Sequence, residues 1–179
     1  MATITLKGNP ITTSGNLPAV GSAAPDFKLV AEDLQDVSLG AFKGKKKILN
    51  IVPSLDTSVC ATSARKFNER AKEIPNCAVI ITMMMIPNCA VIIVSADLPF
   101  ASERFRSNEG LAEIVTLSMM RSRHFALDYG VLITSGPLAG ICARAVVVID
   151  ENDQVVYTEL VSELAREPNY DKVLAAVKG

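Results

Sequence analysis

Apolar and polar positions along this chain fall into short runs and stripes, and the most informative of them lies between Ile48 and Glu73. Ile48, Leu49, Ile51 and Val52 make an almost unbroken apolar run, the pattern of a strand buried on both faces of a mostly parallel sheet. Pro53 stops it. After Thr57 or Ser58, either of which is a good N-cap, Cys60, Ala64, Phe67, Ala71 and Ile74 recur at spacings of four and three, the inward stripe of an amphipathic helix. Its polar face is Arg65, Lys66, Asn68, Glu69, Arg70 and Lys72. A second buried strand is predicted at Ala90 to Ser95, and the crossover between the two should be right-handed.

The rest of the chain is placed around this unit. Thr3 to Leu6 and Pro10 to Thr13 flank Gly8-Asn9, a hairpin signal at the amino end. Leu17 to Asp26 reads as a loop, and Phe27 to Val30 and Asp36 to Leu39 as short extended pieces. Phe100 to Asn108 predicts a helix closed by Gly110, Ile114 to Leu117 a strand, and Arg123 to Tyr129 another helix. Ala145 to Ile149 and Gln154 to Thr158 predict a hairpin, and Tyr170, Val173, Leu174 and Val177 the buried face of a last helix. Alternating strands and helices that end in a hairpin plus helix make this an α/β domain. At 179 residues the chain, residues 1–179, is expected to be one domain with a substantial core.

Composition narrows the chemistry. About half of the residues are apolar, 49%, which argues against disorder, and the formal net charge of −1 gives no electrostatic reason to expect nucleic acid or an anionic membrane as partner. The basic run Lys43 to Lys47 reads as a solvated turn before the buried strand. No secretory signal opens the chain, and a cytoplasmic protein is expected. Cys77 to Val94 is long and apolar enough to raise the question of a membrane span, but Pro87 and Asn88 interrupt it and β-branched residues dominate its flanks, so a soluble interior is expected. Ile74 to Ile81 is repeated letter for letter as Ile86 to Ile93, a tandem duplication or engineered insertion whose copies are equally good strands, leaving the register poorly specified.

Four cysteines stand at 60, 77, 89 and 142. No C-x-x-C occurs and His124 is the single histidine, so neither a structural zinc site nor a dithiol motif is expected, and no cofactor is called for. Cys77 and Cys89 lie in strand-like runs where burial as small hydrophobes is the default. Cys60 differs. It is expected in the first turn of a helix, on its inward side, just past a strand end, where unpartnered backbone N–H groups and the positive end of the helix dipole favour a thiolate. A buried, inert cysteine is the alternative at that position. Arg144 is the second chemical residue. It precedes Ala145 to Ile149, a strand fit only for a core, where a guanidinium needs an anion partner unless it snorkels to solvent. His124, in a charged stretch at a helix start, is a poor candidate for a catalytic base.

The segment Pro53-Ser54-Leu55-Asp56-Thr57-Ser58-Val59-Cys60 matches the Pro-x-x-x-Thr-x-x-Cys signature of peroxiredoxins, and the chain resembles the bacterial thiol peroxidases, the atypical two-cysteine peroxiredoxins. The resemblance runs through KGNPI, LNIVPSLDTSVC, VSADLPFASERF, SNEGL, ARAVVVIDEND and EPNYD, nearly the whole length. It implies a thioredoxin-like fold with an N-terminal β-hairpin, a homodimer, and reduction of hydrogen peroxide and organic hydroperoxides with thioredoxin as reductant. It further implies that Cys60 is the peroxidatic cysteine, that Arg144 lies against it, that Thr57 sets its hydroxyl near thiolate and peroxide, and that Pro53 shields the site from water. Twelve residues, one copy of the duplication, are surplus to the family's pattern.

One departure matters as much as the match. Arg106, in Arg104-Phe105-Arg106-Ser107-Asn108-Glu109-Gly110-Leu111, stands where the family carries its resolving cysteine, so the usual intramolecular disulfide cannot form there. Cys142, two residues before Arg144, would share that residue's face and substitute as resolving thiol if the strand extends so far. The rival readings are a non-catalytic thioredoxin-fold protein, with Cys60 buried and Arg144 paired to an acid, an inactive engineered variant, and a cysteine hydrolase, which lacks a convincing histidine.

Overall fold

The computed structural model describes residues 1–74 and 89–179. Residues 75–88, which include Cys77, most of the first copy of the duplicated segment and the start of the second, lie outside the described residues. Cys89 to Ile93 of the second copy belong to a central strand of the sheet.

Strands β1 (Thr3–Leu6) and β2 (Asn9–Thr12) form the expected hairpin as a separate two-stranded sheet. Its turn is Lys7-Gly8 rather than Gly8-Asn9: Leu6 pairs with Asn9, and both turn residues have positive φ, 51° and 80°, the conformation of a tight two-residue hairpin loop. The main sheet consists of β3 (Lys28–Val30), β4 (Asp36–Ser38), β5 (Lys46–Ile51), β6 (Cys89–Ser95), β7 (Val115–Ser118), β8 (Ala145–Ile149) and β9 (Val155–Leu160). Their spatial order is β4-β3-β7-β6-β5-β8-β9, with β5, β6 and β7 mutually parallel and the other pairs antiparallel. Helices α1 (Ser58–Ala71), α2 (Pro99–Asn108), α3 (His124–Asp128) and α4 (Tyr170–Lys178) connect and cover it.

Two apolar layers explain why the central strands lack hydrophobic alternation. Ile48, Val52, Val91, Ile93, Val146 and Val148 face Cys60, Ala64 and Phe67 of α1 and Val173, Leu174 and Val177 of α4. Leu49, Ile51, Ile92, Val94, Val147 and Ile149 face Phe27, Phe125 and Tyr129 on the other side. Strands covered on both faces have no solvent side to mark with polar residues. Phe67 and Tyr170 meet edge to face at 5.1 Å, which fastens α1 to α4.

Two polar positions depart from the sequence reading. Lys47 belongs to β5 and is fully buried, its ammonium held by Asp153, so the basic run is not a solvated turn along its length. Asn68 is buried instead of lying on the solvent face of α1, because its side-chain oxygen accepts the Glu113 N–H at 2.8 Å. In each case a partner distant in sequence satisfies the buried polar group.

Candidate active site

The end of β5 sets the site. Pairing with β6 continues to Val52, whose N–H donates to Val94 O at 2.9 Å, and Pro53, buried, then interrupts the ladder. A short loop leads to Thr57, which has extended backbone and is the N-cap of α1. Its carbonyl accepts the Ala61 N–H at 2.9 Å, the first helical bond, so the N–H groups ahead of Ala61 have no partner within the helix. The Thr57 hydroxyl does not cap them. It donates to Ser54 O at 3.1 Å on the exposed side of the loop. Cys60 follows in the first turn, with no exposed surface.

Arg144 reaches the same place from a different strand. Because β8 runs antiparallel to β5 and Ala145 pairs with Ile51, the residue before β8 falls beside the residues that follow β5. The Arg144 Nη2 donates to Cys60 Sγ at 3.2 Å, and Nε donates to Leu164 O at 3.1 Å. Arg144 is 1% exposed, which rules out the snorkelling alternative, and its Nη1 has no partner. A cation, a sulfur and the open N–H groups of a helix start thus converge at one point. Such an arrangement suits a reaction in which negative charge passes from a sulfur to an oxygen bound beside it. Sequence reasoning singled out Cys60, Arg144, Pro53 and Thr57. The structure brings the first two into contact, buries Pro53 at the strand end, and sets Thr57 one turn ahead of Cys60 with its hydroxyl on Ser54.

The remaining described thiols lie elsewhere. Cys142 does not share the face of Arg144: β8 starts at Ala145, the chain before it turns, and Cys142 packs in the opposite apolar layer with its sulfur 3.5 Å from that of Met119. Burial pushes its thiol up to about 12. Strand alternation, on which the shared face depended, does not extend past the strand. Cys89 is buried at the opposite end of the sheet, paired with Lys46 at the start of β5, five residues before Ile51. At about 3.3 Å per residue that end lies roughly 16 Å from the strand end that leads to Cys60. A disulfide needs Cα atoms within about 7 Å. His124 is exposed at the start of α3.

Arg106 occupies α2 and makes a two-pronged ion pair with Glu32, Nε to Oε1 at 2.6 Å and Nη2 to Oε2 at 2.7 Å, while Thr116 donates to Oε1 at 3.0 Å. Neither Glu32 nor Thr116 was visible as a partner in the sequence. A further group was also missed. The Asp97 carboxylate accepts from the Ser54 hydroxyl and the Leu55 N–H, both at 2.7 Å, and from the Ser95 hydroxyl at 2.9 Å. The sequence showed Asp97 only within the segment VSADLPFASERF. Among the described residues no cluster of side chains suited to a metal ion occurs, and no helix is long and apolar enough to cross a membrane.

Comparison with known proteins gives the family. The Redoxin family matches residues 19–174. The chain is 50% identical over 177 residues to a thiol peroxidase of Mycobacterium bovis, covering 99% of each. A peroxiredoxin-like protein of Aquifex aeolicus, solved by crystallography, is 41% identical with a TM-score of 0.84, covering 99% of this chain and 96% of that one. The thiol peroxidase of Chromobacterium violaceum, at 24% identity, shares the fold with a TM-score of 0.86 over 98% of this chain and 95% of its own. A buried cysteine at a helix start, an arginine donating to its sulfur, and identity of this extent along the whole chain lead to one assignment: the chain belongs to the thiol peroxidases of the peroxiredoxin family and is a thiol-dependent peroxidase.

Proposed function

We propose that this thiol peroxidase acts through Cys60 as the peroxidatic nucleophile, with Arg144, Thr57 and Pro53 forming its site, and that the chain as a whole, residues 1–179, is one catalytic domain. The observation that carries the reading is the 3.2 Å contact from the Arg144 guanidinium to Cys60 Sγ at the start of α1. The Cys60 thiolate attacks one oxygen of a hydroperoxide, the O–O bond breaks, and the second oxygen leaves as an alkoxide or hydroxide that takes a proton to become alcohol or water. Cys60 becomes a sulfenic acid. The guanidinium, with one N–H on sulfur and Nη1 unpartnered, holds sulfur and peroxide together and stabilises charge on the leaving oxygen. Rotation of the Thr57 hydroxyl from Ser54 O would turn it toward the bound peroxide, and Pro53 keeps water from the sulfur.

Recycling follows a different course from the family's intramolecular disulfide. Arg106 stands at the resolving position, Cys142 packs on the other face, and Cys89 is at the far end of the sheet. Oxidised Cys60 then persists as the sulfenic acid, over-oxidises, or is slowly rescued by an external thiol that attacks the sulfenic acid, releasing water and leaving a mixed disulfide that a second thiol reduces. Thioredoxin is the reductant the family suggests, and a cytoplasmic homodimer is the expected state. The test is one equivalent of hydrogen peroxide followed by sulfenic-acid trapping and mass mapping. Label on Cys60 is expected first; prior modification of Cys77, Cys89 or Cys142 would refute the assignment.

A further inference from the structure

Resting on the peroxidase reading, we propose that Asp97, which belongs to neither the nucleophile's loop nor its helix, is the positioning residue that fixes the Pro53–Thr57 loop for peroxide attack. The loop that delivers Cys60 is short and partly exposed, with Asp56, Thr57 and Ser58 open to solvent. Its own bonds close on themselves: Asp56 N–H donates to Ser54 Oγ at 3.2 Å, and the Thr57 N–H and hydroxyl both go to Ser54 O, at 3.3 and 3.1 Å. Everything therefore pivots on Ser54. The hydrogen bonds that tie Ser54 and Leu55 to another part of the chain end on one carboxylate, Oδ1 taking the Ser54 hydroxyl and Oδ2 the Leu55 N–H.

Asp97 is itself fixed. Its Oδ2 accepts from the Ser95 hydroxyl, its N–H donates to Ser95 Oγ at 3.1 Å, and its carbonyl accepts from the Ser118 hydroxyl at the end of β7. Charge-assisted bonds of 2.7 Å to a half-buried carboxylate are the strong kind, and three donors converge on this one. The effect is a rigid link from the carboxyl ends of β6 and β7 to the loop whose conformation sets where the Thr57 hydroxyl and the open helix N–H groups lie relative to Cys60 Sγ. A misplacement on the order of 1 Å in such a constellation costs about a hundredfold in rate. Asp97 touches neither sulfur nor peroxide. It acts through Ser54.

The two reactions of Cys60 separate this role from a merely structural one. Alkylation by iodoacetamide needs a reactive sulfur but no peroxide oriented by the Thr57 hydroxyl, whereas peroxide reduction needs both. Asp97→Asn keeps the size but replaces one acceptor oxygen with a donor, so it cannot accept from both Ser54 and Leu55. Peroxide oxidation of Cys60 is expected to slow tenfold or more, with alkylation at the same pH slowed less than twofold. Ser54→Ala removes one of the two bonds and reads the same ratio should Asp97→Asn not fold; a smaller fall, about threefold to tenfold, is expected. Equal loss of both reactions, or peroxide rates unchanged in either folded variant, would overturn the proposal while leaving the peroxidase reading intact. Failure of the unsubstituted protein to oxidise at Cys60 would instead overturn both.

Discussion

Replacing Arg144 tests the site most directly, because two of its nitrogens are accounted for. Arg144→Ala removes the Nη2 contact to Cys60 Sγ and the Nε bond to Leu164 O, along with a guanidinium whose Nη1 has no partner. Losing a preorganised, charge-assisted donor at a reacting centre costs about 3 kcal/mol of transition-state stabilisation, on the order of a hundredfold in rate. The fold loses less. The Leu164 carbonyl is left unpaired at about 1–3 kcal/mol, partly offset by removal of a buried cation with an unsatisfied nitrogen, so a domain with about 5–15 kcal/mol of stability stays folded. Arg144→Lys keeps the charge without the fork that spans Sγ and Leu164 O at once, and should recover only part of the rate. Rapid-quench trapping of Cys60 sulfenic acid measures the reaction, with a melting curve as control. On the proposed mechanism the guanidinium supports the reacting sulfur itself, so alkylation should slow together with peroxide reduction, in contrast to the Asp97 variants. Rates within threefold of the unsubstituted protein in both folded variants would show Arg144 to be a structural residue.

Two further outcomes are expected. Thioredoxin-coupled peroxide turnover should be one fast oxidation with poor cycling in this chain, and Arg106→Cys should restore cycling; equal, rapid turnover in both would mean that another thiol already resolves Cys60. At the amino end, the Glu163 carboxyl is held at about 2, from an ordinary 4.5, by the N–H of Gly8, the Thr5 hydroxyl and the N–H groups of Ala165 and Lys7. A carboxyl lowered in the folded state contributes stability that is fully present above about pH 4.5 and is lost as pH falls toward 2. Amide protection of Thr3 to Thr12 should fall through that window, and Glu163→Gln should show the weaker protection already at pH 6 with little further change; acid-insensitive protection in the unsubstituted protein would refute the linkage.

What could be read from the sequence was what is local or periodic. The β5–α1 unit showed in an apolar run, a proline and a stripe at spacings of four and three, and Arg144 was conspicuous because a charge abutted a strand with no polar face. What could not be read was set by partners far away in the chain. Asn68 looked solvent-facing until Glu113 supplied a donor, and Lys47 looked exposed until Asp153 supplied a carboxylate. Glu32 meets Arg106 across 74 residues, and Asp97 meets Ser54 across 43. Cys142 was misplaced for another reason: period-two alternation holds only within a strand, and two residues separate it from the start of β8.

Arg106 also has a structural part in helix α2. Two residues before its start, Asp97 is bonded to the Cys60 loop, and near its end Arg106 clasps Glu32 in a pair whose side chains are only 14% and 25% exposed. The Arg106 carbonyl also accepts the Leu111 N–H at 3.0 Å, closing the helix over Gly110 at a φ of 64°. The Arg106–Glu32 ion pair rewards the helical state and is forfeited on unwinding. Fastened at both ends, α2 keeps the site in the folded form in which Cys60 is buried. An oxidised Cys60 so held meets either a second peroxide, which carries it to the sulfinic acid, or a thiol that enters from outside. On the proposed mechanism, the competition between those two encounters sets how many turnovers each molecule completes.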